Sequence, residues 1–121
     1  MKILIVEDDR FIRTLYRDEL ADEGYEVITA STGHEGMALF EREKPDVVTL
    51  DVSMSFMDEG LHVLRKMKEL RPGVPVIILT AFDYRDELEV WDADAYVMKS
   101  SDLSELKSTI KDACGAYEFG V

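Results

Sequence analysis

Cysteine, basic residues and long apolar runs are all scarce in this sequence. Cys114 is the only cysteine among the 121 residues, so no disulfide can form within the chain, and a reducing compartment is indicated. Aspartate and glutamate number 26, against 14 lysines and arginines, which gives a formal net charge of −12. Such an excess of negative charge argues against direct binding to nucleic acid or to an anionic membrane surface.

The apolar runs that do occur are short. The first, Ile3–Val6, is too short for the apolar region of a signal peptide, and none approaches the roughly 18 residues of a membrane span. We therefore expect a cytoplasmic protein. The length predicts one domain over residues 1–121, with a core from about residue 2 to residue 115 and a short tail at 116–121. Because the sequence ends soon after Gly115, we expect it to act without an attached output domain.

Strand-like apolar runs alternate with helical patterns five times along the chain. The predicted strands are Lys2–Val6, Glu26–Ala30, Val47–Asp51, Pro75–Leu79 and Ala95–Met98. Apolar residues between them recur with helical spacing, and in the first helix the predicted buried face is Ile12, Leu15, Tyr16 and Leu20. The alternation predicts an α/β fold: a five-stranded parallel sheet, doubly wound as a (βα)5 unit. The fourth helical pattern, Tyr84–Trp91, is weak, so we expect a short or irregular fourth helix.

Capping residues mark the predicted helix ends. Asp9 is a favourable N-cap for the first helix, and Thr32 and Glu35 have the spacing of a capping box before the second. Gly24 and Gly115 are predicted to follow the last residues of the first and last helices, where glycine adopts a left-handed conformation at low cost.

Polar residues follow four of the predicted strands. The acidic turn Glu7-Asp8-Asp9 follows the first strand and Asp51 ends the third, while Thr80 and Lys99 follow the fourth and fifth. Because parallel strands end at one edge of a sheet, we expect these groups to converge there. Clustered carboxylates repel one another unless a cation lies among them, and Mg²⁺ prefers such oxygen ligands. The sequence therefore predicts a cation site at this edge.

Five motifs at the predicted strand ends resemble the receiver domain of bacterial two-component response regulators, over essentially the full chain. They are Ile-Val-Glu-Asp-Asp (5–9), Pro-Asp-Val-Val-Thr-Leu-Asp (45–51), Met57-Asp58 with Gly60, Leu79-Thr80-Ala81, and Tyr96-Val97-Met98-Lys99. The resemblance implies a flavodoxin-like fold and a phosphorelay function. Asp51 would accept a phosphoryl group from a sensor histidine kinase or a histidine phosphotransfer protein. The chain would catalyse only its own phosphorylation and dephosphorylation.

The resemblance also implies a role for each site residue. The Mg²⁺ ligands would be Glu7, Asp8 and Asp51, with the backbone carbonyl of Ser53. The groups that bind phosphoryl oxygens would be Thr80, Ala81 and Lys99. Thr80 and Tyr96 would form a switch that remodels a surface for a downstream protein target. Phe11 and Leu15, on the first helix, would dock the phosphoryl donor.

The chain departs from the family pattern at five points, one of which is Asp92, where a helix-ending glycine is common. Ser100 and Ser55 stand where the family usually has proline, and Glu59 is an extra residue between Asp58 and Gly60. The interval from Thr80 to Lys99 is shorter than the interval usual in the family by about one helical turn. None of these departures removes a residue implied in phosphorylation.

Three other functions share part of this pattern. A pseudo-receiver would use the same fold as a non-phosphorylated interaction module, which the retained acids and Lys99 oppose. A flavin- or nucleotide-binding protein would need a phosphate cradle after the first strand, where Glu7-Asp8-Asp9 would repel the phosphate. A phosphatase of the haloacid dehalogenase type would need a second aspartate at the position of Ser53.

Overall fold

A five-stranded parallel sheet forms the centre of the molecule. The computed structural model describes residues 1–52, 57–81, 93–100 and 102–118. Its strands are β1 (Lys2–Val6), β2 (Glu26–Ala30), β3 (Val47–Val52), β4 (Val76–Thr80) and β5 (Ala95–Met98). They are arranged in the order β2-β1-β3-β4-β5, and every neighbouring pair is parallel. This confirms the predicted doubly wound sheet and places β3 at its centre.

Four helices are described. They are α1 (Arg10–Asp22), α2 (Gly33–Glu43), α3 (Met57–Leu70) and α4 (Ser104–Glu118). The predicted fourth helix, Tyr84–Trp91, lies outside the described residues, so the C-terminal helix is labelled α4. This helix continues through Gly115, which was predicted to follow its end, and reaches Glu118.

The helices pack against both faces of the sheet. One face is covered by α2 and α3, whose buried residues Phe40, Leu64 and Met67 contact Leu4, Val48 and Ile78 of the strands. The other is covered by α1 and α4, whose buried residues Tyr16, Leu20 and Ile110 pack with Ile5, Leu79 and Val97. Burial on both faces explains why β3 and β4 read as continuous apolar runs. Truncating Phe40 to alanine would cost about 3–5 kcal/mol of folding free energy.

The starts of α1 and α2 and the end of α1 follow the predicted capping. Oδ1 of Asp9 accepts hydrogen bonds from the backbone N–H groups of Phe11 and Ile12, at 2.8 and 3.1 Å. Thr32 Oγ1 caps α2 by accepting a hydrogen bond from the N–H of Glu35 at 3.1 Å. Gly24 follows α1 with a φ of +94°, a conformation that only glycine adopts readily.

Leu15 was predicted on the buried face of α1, but its side chain is 42% exposed. Ile12, Tyr16 and Leu20 are spaced four residues apart and therefore share the face that packs on the sheet. Leu15 is rotated by about 100° from its neighbour Tyr16, which turns it away from the sheet.

No helix in the described part of the chain combines the length and the apolar character needed to cross a membrane.

Candidate functional site

Three charged residues converge at the C-terminal edge of the sheet. Glu7 directly follows β1, Asp51 lies near the end of β3, and Lys99 directly follows β5. Side chains alternate between the two faces of a strand. Glu7 and Lys99 lie two residues beyond Ile5 and Val97, and Asp51 pairs in register with Leu79. All three charged side chains therefore belong to the face covered by α1 and α4.

The ammonium of Lys99 lies between two buried carboxylates. Its Nζ is 2.8 Å from Glu7 Oε1 and 2.6 Å from Asp51 Oδ1. The side chains of Lys99, Glu7 and Asp51 are 14%, 0% and 6% exposed, respectively. The backbone N–H of Lys99 donates a 2.7 Å hydrogen bond to the carbonyl of Thr80, which fixes the end of β5 against β4. From this anchor the side chain of Lys99 reaches across β4 to the central strand.

Asp8 adds a third carboxylate to the site. One oxygen from each of Glu7, Asp8 and Asp51 lies within 4.8 Å of the other two. Burial raises the pKa of Glu7 to about 7, although Lys99 opposes the shift, and burial also raises the pKa of Asp51. Burial acts in the same direction on Asp8, but hydrogen bonds with Asp51 and Glu7 keep its pKa below the usual value.

The donor set fits a hard divalent cation. Three carboxylates outnumber the single ammonium of Lys99, so the ionised cluster keeps excess negative charge, and the side chains of Glu7 and Asp51 are buried while Asp8 is exposed. Carboxylate oxygens are the ligands that Mg²⁺ takes in proteins. Ser53, predicted to add a backbone carbonyl, lies outside the described residues.

Hydrogen bonds hold the acidic turn between β1 and α1. Glu7 Oε2 accepts a 3.0 Å hydrogen bond from the N–H of Asp9. Arg13 Nη1 donates to the carbonyl oxygens of Glu7 and Asp8, at 2.9 and 3.4 Å. Arg13 belongs to none of the sequence motifs that predict the site. The one sequence feature that could have indicated its role is that Arg13 is a basic residue in the first turn of a helix that follows an acidic turn.

The predicted phosphate-binding and switch residues lie on β4 and β5 or directly after them. Thr80 is buried at the end of β4 and pairs in register with Val52, while Ala81 follows it and is exposed. Tyr96 pairs with Ile78, two residues before Thr80, so the two predicted switch residues share one face of the sheet. The hydroxyl of Tyr96 accepts a hydrogen bond from the N–H of Ala93 at 3.4 Å.

A cavity of about 150 Å³ extends from the acidic cluster toward α2 and α3. Its lining includes Glu59, on α3, and Gly33 at the start of α2. A Cβ on Gly33 would lie 2.7 Å from Glu59 Oε1 and 2.9 Å from Val63 Cγ2. Glycine is therefore needed where α2 and α3 approach each other beside the site.

Phe11 and Leu15 form an exposed apolar pair one turn apart on α1. Phe11 is 87% exposed and follows the acidic turn closely in sequence. The predicted docking residues thus lie on the solvent side of the helix that borders the site.

A model of the response regulator receiver domain matches residues 3–111. The chain belongs to this family. Among curated relatives of the receiver domain is the probable transcriptional regulator ycf27 of Porphyra purpurea, which is 40% identical over 114 residues, covering 91% of this chain and 46% of the relative. Sporulation initiation phosphotransferase F of Bacillus subtilis is 34% identical over 113 residues, covering 91% of this chain and 90% of the relative. The chain spans about half the length of most of the curated relatives it matches first.

Solved structures of receiver domains share the fold. Response regulator TrrA of Thermotoga maritima, solved in complex with Mg²⁺-BeF, has a TM-score of 0.84 and 39% identity, covering 93% of this chain and 97% of that one. A structure of histidine kinase ThkA in complex with TrrA gives a TM-score of 0.82 and 37% identity, with the same coverage. The comparisons confirm the predicted family and the flavodoxin-like receiver fold.

Proposed function

We propose that this receiver domain is a phosphoacceptor, in which Asp51 takes a phosphoryl group from a phosphohistidine of a sensor histidine kinase or a histidine phosphotransfer protein. The observation that carries the proposal is the approach of the Glu7, Asp8 and Asp51 carboxylates to within 4.8 Å of one another, beside the ammonium of Lys99. The TrrA complexes with Mg²⁺-BeF and with a histidine kinase support it by analogy.

The proposed reaction makes one bond and breaks one. A carboxylate oxygen of Asp51 attacks the phosphorus, the P–N bond to the donor histidine breaks, and its electron pair returns to the nitrogen, which gains a proton. Lys99, 2.6 Å from Asp51, favours the ionised nucleophile and then balances the charge of the acyl phosphate. Glu7, Asp8 and Asp51, with the carbonyl of Ser53, would hold Mg²⁺. When bound, this ion supplies further positive charge for the phosphoryl oxygens.

Two residues at the end of β4 would receive the phosphoryl group. The Thr80 hydroxyl, at the last residue of β4, and the Ala81 N–H just beyond it are proposed to donate hydrogen bonds to phosphoryl oxygens. We propose that Thr80 and Tyr96 then act together as the switch, because they share one face of the sheet. The switch would alter a surface that binds a downstream protein in the cytoplasm.

The phosphoryl donor is proposed to dock on α1. Phe11 and Leu15 are exposed there, and large apolar side chains of this kind commonly anchor protein interfaces. Their position next to the acidic turn would bring a docked phosphohistidine close to Asp51.

Incubation with acetyl phosphate and Mg²⁺, followed by intact-protein mass spectrometry, tests the phosphoacceptor. The wild-type chain should gain one phosphoryl group, and Asp51→Asn should gain none, because an amide is not a competent nucleophile. Asp22→Asn is the matched control, since it removes an exposed carboxylate at the end of α1. Equal gain in Asp51→Asn would refute the assignment. No gain in the wild type would favour the non-phosphorylated interaction module.

The docking surface is tested with two phosphoryl donors. Phe11→Ala should slow transfer from the cognate kinase or phosphotransfer protein by about tenfold, and leave the reaction with acetyl phosphate unchanged. Leu70→Ala is the control, because Leu70 is 51% exposed at the end of α3, far from α1. Equal slowing with both donors would place the defect in the site and not in docking.

A further inference from the structure

The acidic turn is held by a side chain that carries no role in the proposed reaction. A single guanidinium nitrogen, Arg13 Nη1, donates to two consecutive carbonyl oxygens, those of Glu7 at 2.9 Å and Asp8 at 3.4 Å. These are the two residues whose carboxylates stand beside Asp51. A second hydrogen bond, from the N–H of Asp9 to Glu7 Oε2, lies within the same turn.

The guanidinium of Arg13 contacts backbone carbonyl oxygens and not a carboxylate. Among the residues that the structure describes, Arg13 forms no ion pair, whereas Arg17, one turn further along α1, pairs with Asp18 at 3.2 Å. Hydrogen bonds from an ionised donor are roughly twice as strong as neutral ones. The contact of Arg13 therefore restrains the backbone from which Glu7 and Asp8 project.

We propose that Arg13 is a positioning residue that fixes the carbonyls of Glu7 and Asp8, so that the carboxylates of both residues are preorganised to bind a divalent cation. The inference rests on the proposed function, because it assigns the support of the same Mg²⁺ site. Mg²⁺ demands near-ideal octahedral geometry, so its affinity is sensitive to small displacements of its ligands. Residues that orient the direct ligands of a metal commonly contribute tenfold or more to affinity.

Positioning and simple electrostatics make opposite predictions for this residue. Arg13 carries a positive charge near a cation site, so by Coulomb's law its removal should tighten Mg²⁺ binding. If Arg13 instead holds the turn, its removal should weaken Mg²⁺ binding in spite of the lost repulsion. The sign of the change therefore separates the two roles.

Isothermal titration calorimetry of the unphosphorylated chain with MgCl₂ tests this inference without measuring phosphorylation. Arg13→Ala should raise the Kd for Mg²⁺ by about tenfold. Arg17→Ala, which removes the same charge from the exposed side of the same helix, should change it by less than about twofold. Thermal unfolding in EDTA should show that Arg13→Ala remains folded. If it does not fold, Arg13→Lys replaces it, with a smaller expected rise in Kd.

The Mg²⁺ titrations separate the positioning role of Arg13 from the existence of the metal site. An unchanged or lower Kd in Arg13→Ala would overturn the positioning role, and so would an equal rise in Arg17→Ala. Failure of the wild-type chain to bind Mg²⁺ would instead refute the proposed metal site, and with it the function on which this inference rests.

Discussion

Two lysines of this receiver domain each contact two carboxylates, at opposite edges of the sheet. Lys99, after β5, lies 2.8 and 2.6 Å from Glu7 and Asp51, and all three side chains are at most 14% exposed. Lys2 begins β1 at the other edge and lies 3.4 Å from both Glu26 and Glu43. There the exposed fractions are 27%, 68% and 32%. Each lysine is paired with two carboxylates, and the two sets differ mainly in how far the side chains are buried.

Burial reverses the direction in which the carboxylate pKa is shifted beside each lysine. At the exposed edge, hydrogen bonds from Arg42 and Lys2 lower the pKa of Glu43, so ionisation is favoured. At the buried edge, desolvation raises the pKa of Glu7 to about 7 even though Lys99 is in contact with it. The exposed cluster can remain ionised without further partners. The buried cluster holds unfavourable negative charge, which a bound cation would relieve.

Removing each lysine in turn should give the largest difference in stability between the two clusters. Lys99→Ala leaves two buried carboxylates without their cation and should lower the free energy of unfolding by about 3 kcal/mol at pH 8 in EDTA. Lys2→Ala should have little effect, because solvent already screens its partners. Urea denaturation followed by circular dichroism measures both. Similar losses in the two variants would show that burial does not separate the clusters.

The pH dependence of stability should differ in sign between Glu7 and Glu43. The folded-state pKa of Glu7 lies above its unfolded value, so ionisation of Glu7 destabilises the fold as the pH rises from about 4.5 to 7. Glu7→Gln should therefore be more stable than the wild type at pH 8 by roughly 3 kcal/mol, and about equally stable near pH 4.5. The folded-state pKa of Glu43 is lowered, so its stabilisation is present at neutral pH and is lost as the pH falls.

Glu43→Gln should accordingly be slightly less stable than the wild type at neutral pH. Urea denaturation in EDTA across pH 4.5–8 measures both variants. A Glu7→Gln variant that is less stable than the wild type at pH 8 would contradict the dominance of burial at this site.

Added salt should produce the smallest change in the stability of these variants. Raising NaCl from about 0.05 to 1 M shortens the Debye length from more than 10 Å to about 3 Å, which weakens exposed ion pairs far more than buried ones. Any stability difference between Lys2→Ala and the wild type should therefore disappear at high salt, while the difference for Lys99→Ala should persist. A salt-sensitive Lys99 variant would indicate that water enters the site.

The fold and the positions of the main site residues follow from local patterns in the sequence. The alternation of apolar runs with helical spacing predicts the parallel sheet, and parallel strands bring Glu7, Asp51 and Lys99 to one edge. Asp9 and Thr32 cap helices as their residue types predict. Patterns of this kind depend only on neighbours in the chain.

Side-chain direction and tertiary contacts were not predictable in the same way. Arg13 reaches back to the carbonyls of Glu7 and Asp8, and that contact depends on the orientation of α1 over the turn. The close approach of Glu59 to Gly33 requires two helices that are separate in sequence. Leu15 was placed on the buried face because apolar spacing alone does not distinguish a core residue from an exposed docking residue.

The most direct test of the central claim, that Asp51 is the phosphoacceptor, is chemical trapping of the phosphorylated residue. Sodium borohydride reduces an aspartyl phosphate to homoserine, so the chain would be phosphorylated with acetyl phosphate and Mg²⁺, reduced, digested and analysed by peptide mass spectrometry. We expect homoserine at position 51 and unmodified aspartate at Asp8 and Asp9. Homoserine at Asp8, or at any position other than 51, would contradict the account.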